Sequence, residues 1–161
     1  MTTFYAQPYS LDHTGFYFES LEEFETGMEK LNKRGCEEVE IQFIDGEDYH
    51  ASLAKEADIN QATVALWFET LDDLDAHDTT RLTFLLERGF VLDDALSRYE
   101  DVCLYQGSAR DYAQELIEET TQIPENLQYY IDYEAIARDM RLNGEIEEIG
   151  RETLVTNAYE F

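Results

Sequence analysis

Basic residues are scarce in this chain of 161 residues, where 11 Lys and Arg stand against 37 Asp and Glu and the formal net charge is −26. A small domain usually carries a net charge of magnitude about 2–8, and a larger value destabilises the compact state through self-repulsion. Nucleic acid and anionic membranes both need a basic patch on a protein partner. The shortage of bases therefore argues against both as direct ligands and leaves positively charged partners: a basic protein, a cation or high salt itself.

Cysteine and long apolar runs are scarce too. Cys36 and Cys103 are the only cysteines and form no CxxC pair, so we expect buried thiols in a reducing compartment. The first residues, MTTFYAQPYSLD, contain no basic segment followed by an apolar run, so no signal peptide is predicted. No stretch reaches the roughly 18–20 apolar residues of a membrane span. These absences predict a soluble, cytoplasmic protein.

Sequence motifs for catalysis or metal binding are absent. His13, His50 and His77 are isolated from one another and from cysteine. The acidic segment DGEDYH at 45–50 lacks the ligand register of a calcium loop, so a turn between elements explains it better. The many carboxylates leave a glycosidase-like acid–base pair open but select none. The sequence predicts a protein that is not an enzyme, with no catalytic residue, no metal and no cofactor.

Aromatic residues are plentiful, at 13% of the chain, with eleven Tyr and nine Phe. Disordered acidic chains lack aromatics, and a fold of this size buries roughly 70% of the surface that its unfolded chain exposes. We therefore expect a folded protein with a real core.

The hydrophobic pattern predicts an α+β fold, an elongated chain of three small domains. Residues 1–58 are predicted to form a ββαβ unit, whose helix starts at a capping box formed by Ser20 and Glu23. Residues 59–101 are predicted to form a central helical bundle, beginning with INQATVALWFETL and continuing in a helix capped by Asp78.

Residues 102–161 are predicted to form a C-terminal α+β domain. It begins with a strand, followed by a helix capped by Ser108. Pro124 suits the first turn of a short helix over ENLQYYI, and Asp132 can cap the next helix. The tail, TLVTNAYEF, alternates as a last strand does.

The negative charge is spread over all three predicted domains, with net charges of −10, −7 and −9 in chain order and no more than two consecutive acids. Duplex DNA carries about one charge per 1.7 Å, so this total corresponds to roughly 44 Å of duplex. Rigidly held carboxylates could then stand in for phosphates in a basic channel. The candidate partner-binding carboxylates are Glu22, Glu23, Glu25, Asp45, Glu47, Asp48, Asp72, Asp73, Asp75, Asp78, Asp93, Asp94, Asp111, Glu115, Glu118 and Glu119.

The segment LDDLDAHD at 71–78 is the most acidic of these. Its aspartates follow a predicted helix, where the negative end of the helix dipole disfavours them. One explanation is that the charges are kept for a partner. The simpler one is that Asp78 caps the next helix while Asp72 and Asp73 face water.

The composition alone leaves other functions open. The acidity is also typical of a halophilic protein of another function, and of an acidic immunity-type inhibitor that blocks the basic site of another nuclease. A calcium buffer ranks last, because no calcium-loop motif is present.

The segment from Pro124, PENLQYYIDYEAIARDMRLNGEIEEIG, resembles the C-terminal segment of the ArdA antirestriction family, whose members carry a close relative of LQxYIDYxAxARDL. FIDGED at 43–48 and INQA at 59–62 also resemble the family. The residues of this motif segment are Leu127, Tyr130, Ile131, Asp132, Tyr133, Ala135, Ile136, Ala137, Arg138 and Asp139.

The resemblance implies a DNA mimic made by mobile elements and phages. Such proteins occupy the DNA-binding groove of type I restriction–modification enzymes in the bacterial host cell, and block restriction and often modification. It also implies a homodimer formed through the C-terminal domain. We expect the motif residues to serve as scaffold or dimer interface, and the dispersed carboxylates to contact the enzyme.

Overall fold

The computed structural model describes all 161 residues, which fold into two compact units, Met1–Leu96 and Ser97–Phe161. Seven α-helices and two three-stranded antiparallel sheets confirm the α+β class. The three-domain arrangement is not confirmed, and the predicted boundary at 58/59 stays a prediction.

The sheet of the first unit has the strand order β2-β1-β3, with β1 at Thr3–Pro8, β2 at Phe16–Phe18 and β3 at Val39–Asp45. Alternate residues of β1 are buried, among them Phe4 and Ala6, as the period of a half-buried strand requires. The three predicted strands are confirmed.

Helix α1, Leu21–Asn32, begins where the sequence predicts. The Ser20 side chain accepts a hydrogen bond from the Glu23 N–H at 3.2 Å. In return the Glu23 carboxylate accepts the N–H of Glu19 at 2.8 Å, one residue earlier than in a standard capping box. Gly35 follows the helix at φ +83°, a conformation that glycine adopts at little cost.

The helical elements that follow β3, as far as Asp101, differ most from the prediction. The Asn60 side chain accepts the N–H of Ala62, and the Thr63 hydroxyl accepts the N–H of Asn60. These local hydrogen bonds compete with helix formation. The predicted helix over INQATVALWFETL is therefore short, and the helix following β3 was not predicted. The elements are α2 His50–Glu56, α3 Val64–Leu66 with a π-helical turn Trp67–Leu71, α4 Ala76–Glu87, and α5 Leu92–Arg98 with a 3-10 turn Tyr99–Asp101.

One core joins the sheet of the first unit to the helices that follow. Trp67 is fully buried and meets the Phe4 ring edge-on, with centroids 5.2 Å apart. Phe68 meets Phe18 in the same way at 6.0 Å. Rings from both sides of residue 58 thus pack together within the first unit.

The second unit pairs two helices with a small sheet of order β4-β6-β5. The small side chains of Ala109, Ala113 and Ala137 are buried and let α6 and α7 pack closely over Leu154 of the sheet. Its elements are β4 Leu104–Gln106, α6 Ala109–Thr120, a 3-10 turn Gln128–Tyr130, α7 Tyr133–Leu142, β5 Glu147–Glu148, β6 Thr153–Val155 and a 3-10 turn Ala158–Glu160.

Three sequence expectations for the second unit are corrected. The helix predicted after Pro124 is only the 3-10 turn, and the last strand covers only Thr153–Val155. Cys103 is exposed, whereas Cys36 is buried as expected. The Cys103 backbone N–H and C=O bind Asn157 and Thr156, and this pairing leaves its side chain on the outside.

Candidate protein-binding surface

Many of the candidate carboxylates lie in the first turns of helices. There the positive end of the helix dipole stabilises a negative charge, which offsets part of the self-repulsion of so acidic a chain. The fold thus holds these charges at fixed positions along its backbone. They are Glu22 and Glu23 of α1, Asp78 of α4, Asp93 and Asp94 of α5, and Asp111 of α6.

Asp72 differs from the other candidate carboxylates because it is bound to the core. Its Oδ1 atom accepts hydrogen bonds from the indole N–H of Trp67, at 3.2 Å, and from the hydroxyl of Thr2. The side chain of Asp72 is 24% exposed. A carboxylate with two buried donors has a structural role whether or not a partner reaches it.

Asp75, rather than Asp78, is the N-cap of α4. Its side chain accepts the N–H of Asp78 at 2.9 Å, and this hydrogen bond lowers the pKa of Asp75. Asp78 lies in the first turn and accepts a hydrogen bond of 2.9 Å from Arg81. One helix ends and the next begins within this segment, so these two aspartates face a favourable helix N-terminus. Asp73 is exposed.

A buried histidine lies beside Asp72, and sequence reasoning missed it. His50 is 2% exposed, and its Nδ1 atom lies 3.0 Å from Thr2 Oγ1 and 3.8 Å from Asp72 Oδ1. Burial lowers the pKa of His50, although the Asp72 carboxylate opposes this shift. Its Nε2 atom is buried without a hydrogen-bond partner. An isolated histidine gives no signal in the sequence of such a contact.

The remaining candidates of the first unit face water. Asp45 accepts the N–H of Gly46 at 3.0 Å in the turn after β3. Glu47 and Asp48 continue this exposed turn, and Glu25 lies exposed on α1.

The candidates of the second unit share helix α6. Asp111, Glu115, Glu118 and Glu119 are all exposed and follow the helical spacing of one broad face. At 1.5 Å per residue they extend over about 12 Å of helix. The Ser108 hydroxyl donates to Asp111 at 2.6 Å and lowers the pKa of that carboxyl group.

Two of these acids also bind neighbouring side chains. Glu115 accepts the Tyr105 hydroxyl at 2.8 Å, and partial removal from water together with this carboxylate raises the pKa of Tyr105 to about 12. Glu118 accepts the side-chain amide of Gln114 at 2.9 Å. Such contacts limit the motion of the carboxylates and leave them exposed.

The family-like motif is divided between core and surface. Asp132 caps α7 by accepting the N–H of Ala135 at 3.0 Å, as predicted. Tyr133 and Ala137 are buried, whereas Ile131, Ala135 and Ile136 are half-buried. Arg138 and Asp139 form an exposed ion pair of 3.6 Å.

The first part of the motif lies outside the core of its unit. Leu127 and Tyr130 are 48% and 83% exposed, and Tyr129, which the prediction missed, is 94% exposed. Tyr129 lines a groove of about 760 Å³, to which Arg110 of α6 also contributes. The available signal was the pair of adjacent tyrosines, because a single short turn cannot bury both.

No group of three or more His, Cys, Asp or Glu side chains is placed to hold a metal ion. No helix has both the length and the apolar character that crossing a membrane requires.

The fold and its surface define a small α+β protein that presents carboxylates from both compact units, with net charges of −16 and −10. Residues 5–153 match the model of the antirestriction protein (ArdA) family. This match covers most of the chain, so the protein belongs to the ArdA antirestriction family, which confirms the resemblance seen in its C-terminal motif. No curated protein matches the chain.

Proposed function

We propose that this protein is an acidic DNA mimic that occupies the DNA-binding groove of a type I restriction–modification enzyme and blocks restriction. The observation that carries this proposal is the spread of exposed carboxylates over both compact units, within a chain of net charge −26. An acidic tail would concentrate the charge at one end. A groove that binds duplex DNA instead presents Lys and Arg side chains along an extended path.

The physical basis is electrostatic. A negative field of this size speeds association with a basic groove, and Arg forms strong charge-assisted hydrogen bonds with carboxylates. Asp75 accepts the Asp78 N–H and Asp111 accepts the Ser108 hydroxyl, and these hydrogen bonds lower the pKa values of both carboxyl groups and keep them ionised. We expect the binding energy to be distributed over many carboxylates. Asp72 also contributes to the fold, because its Oδ1 atom accepts hydrogen bonds from Trp67 and Thr2.

The same proposal includes a homodimer formed through the second unit. The exposed side chains of Leu127, Tyr129 and Tyr130 support it, since tyrosine is enriched at protein interfaces. A dimer would double the charge presented to the enzyme. The protein would act in the cytoplasm of the bacterial host cell without catalysis, cofactor, membrane contact or direct nucleic-acid binding, and inhibition of modification would follow if both activities share the occupied groove.

Competition with DNA tests the proposal. A type I methyltransferase core is held on fluorescently labelled DNA at fixed moderate salt, and the protein is titrated in while anisotropy is recorded. Release of the DNA near stoichiometry, weakening as salt rises, is expected. DNA that stays bound at large excess of folded protein would contradict the proposal. An inhibitor of another nuclease or a halophilic protein would then explain the acidity, and the latter would unfold when salt is removed.

A further inference from the structure

A groove of about 620 Å³ lies in the first unit between strand β2 and helix α1. Phe16 and Tyr17 both line it, although successive side chains of a strand point to opposite faces of the sheet. The groove therefore follows the edge of β2 instead of one face. This edge is open, because β2 pairs only with β1.

The floor of the groove is apolar and closely packed. The Phe16 ring lies against the backbone of α1 at Gly27, where an added Cβ would come within 2.2 Å of the ring. Glycine destabilises a helix interior, so the sequence accepts a local cost to bring strand and helix together here. Leu31 continues the apolar floor.

The two ends of the groove carry opposite charges. Glu22 and Glu23 lie at one end and Lys30 and Arg34 at the other. Neither of these bases forms an ion pair, although Lys33 in the same turn binds Glu29 at 2.6 Å. Most other bases contact a carboxylate or an aromatic ring, namely Lys33, Lys55, Arg81, Arg88, Arg98, Arg110, Arg138 and Arg141.

Lys30 lies in the last turn of α1 and Arg34 in the turn that follows the helix, and both line the groove, where their like charges repel. Two neighbouring bases without ion-pair partners, in a chain with 37 acids, provide a place for an anionic group. The groove thus combines an open strand edge, an apolar floor and a defined charge direction.

We propose that this groove binds an extended segment of a partner protein, which pairs with β2 as an antiparallel strand. Its carboxyl-terminal end carries acidic groups that meet Lys30 and Arg34, and its amino-terminal end carries bases that meet Glu22 and Glu23. Main-chain hydrogen bonds provide affinity in such strand addition, and side chains provide specificity. This interaction does not depend on the antirestriction function proposed above.

Two synthetic peptides of identical composition test the direction of charge. The first is Lys-Arg-Thr-Val-Thr-Val-Asp-Glu and the second has the reverse order, and both are acetylated and amidated at their ends. Each is titrated into the isotopically labelled full-length protein, and backbone amide shifts are recorded by NMR. The first peptide is expected to bind at least about tenfold more tightly, with shift changes concentrated in β2 and α1.

Two kinds of variant test whether the peptide binds in the groove: one reverses the charge of its bases, and the other fills the groove. Lys30→Glu with Arg34→Glu is expected to lower the affinity for the first peptide at least about tenfold. Its matched control, Lys33→Glu with Lys55→Glu, makes the same change in net charge outside the groove and is expected to retain binding. Thr26→Trp fills the groove without changing the charge and is expected to weaken binding as well.

Several results would overturn the proposal. Equal affinity for both peptides would indicate unspecific attraction to an acidic protein. Equal losses in the charge-reversed variant and its control, or no binding up to about 1 mM, would exclude a directed groove. Amide shift changes in β2 and α1 that appear when the protein concentration is raised without peptide would show that a second copy of the protein occupies the β2 edge.

Discussion

The indole N–H of Trp67 points at the carboxylate of Asp72, with the nitrogen 3.2 Å from Oδ1. Trp67 is fully buried, so without this acceptor its N–H would lose its hydrogen bond inside the protein. The most acidic segment of the chain is therefore anchored to the aromatic core of the first unit. One of its aspartates stabilises the fold, while its neighbour Asp73 is exposed.

Replacing Asp72 tests this anchor. Asp72→Ala removes the acceptor for Trp67 and Thr2 and is expected to lower the free energy of unfolding by about 1–3 kcal/mol. The matched change Asp73→Ala removes the same charge from an exposed position and is expected to stay within about 0.5 kcal/mol of the parent. Urea unfolding followed by Trp fluorescence measures both, and equal effects would contradict the anchor.

Two variants of Asp75 distinguish the effect of helix capping on stability from the effect of its charge. Asp75→Asn keeps a side-chain oxygen for the Asp78 N–H, whereas Asp75→Ala removes it, and both remove one negative charge. Only the alanine variant is expected to lower the melting temperature. If the asparagine variant melts as low as the alanine variant, the charge instead of the cap stabilises α4.

Acid pH tests the buried histidine. The pKa of His50 is lowered below its ordinary value of 6.5 by burial, so the unfolded chain binds a proton at a higher pH than the folded one. The contribution of His50 to stability is therefore complete above pH 6.5 and falls as the pH drops towards the folded-state pKa.

The protein and a His50→Gln variant are compared by urea unfolding between pH 8 and 5. Protonation of carboxylates changes stability in both, so the difference between the two curves isolates His50. We expect this difference to vary with pH below 6.5 and to be constant above it. A difference that stays constant over the whole range would show that His50 does not titrate differently on folding.

The carboxylates of α6 test the proposed mimicry. The triple variant Asp111→Asn, Glu118→Gln, Glu119→Gln is expected to weaken competition with DNA several-fold, because each residue is exposed and charged. Each single change is expected to have little effect. Glu115 is left in place because it accepts the Tyr105 hydroxyl.

A matched control neutralises three carboxylates that already bind bases. Glu29, Glu56 and Glu148 lie 2.6, 2.6 and 2.8 Å from Lys33, Lys55 and Arg141. Of the three α6 acids only Asp111 pairs with a base, and Arg110 lies farther from it, at 3.5 Å. Changing each to Gln removes the same charge from the chain but is expected to cost less inhibition, since these charges are already compensated. Equal losses in both triple variants would mean that net charge alone matters.

Substitutions of Tyr130 and Tyr133, which belong to the same motif, are expected to affect different properties: dimer formation and stability. Tyr130 is 83% exposed, so Tyr130→Ser together with Tyr129→Ser is expected to dissociate the proposed dimer with little change in stability. Tyr133 is 9% exposed, and Tyr133→Ala is expected to cost about 3 kcal/mol by leaving a cavity in the second unit. Sedimentation velocity measures the dimer and urea unfolding the stability. A Tyr129/Tyr130 variant that sediments as the parent does would remove this surface from the interface.

The sequence by itself determined those features that rest on local chemistry. Ser20, Ser108 and Asp132 accept N–H groups three residues ahead, so their caps could be predicted from residue type and spacing. The strands β1 and β3 were likewise predicted as parts of the ββαβ unit, and the C-terminal motif predicted the family. The total charge needed no structure at all.

The tertiary structure alone decided which acids face inward and where the compact units end. Asp72 and Asp73 are adjacent and chemically identical, but only Asp72 meets donors from Thr2 and Trp67. The joint core of Phe4 and Trp67 links segments that the sequence pattern separates at residue 58. Periodicity and composition describe each segment alone. Burial depends on which distant segments pack against each other, and that depends on side chains from different parts of the chain.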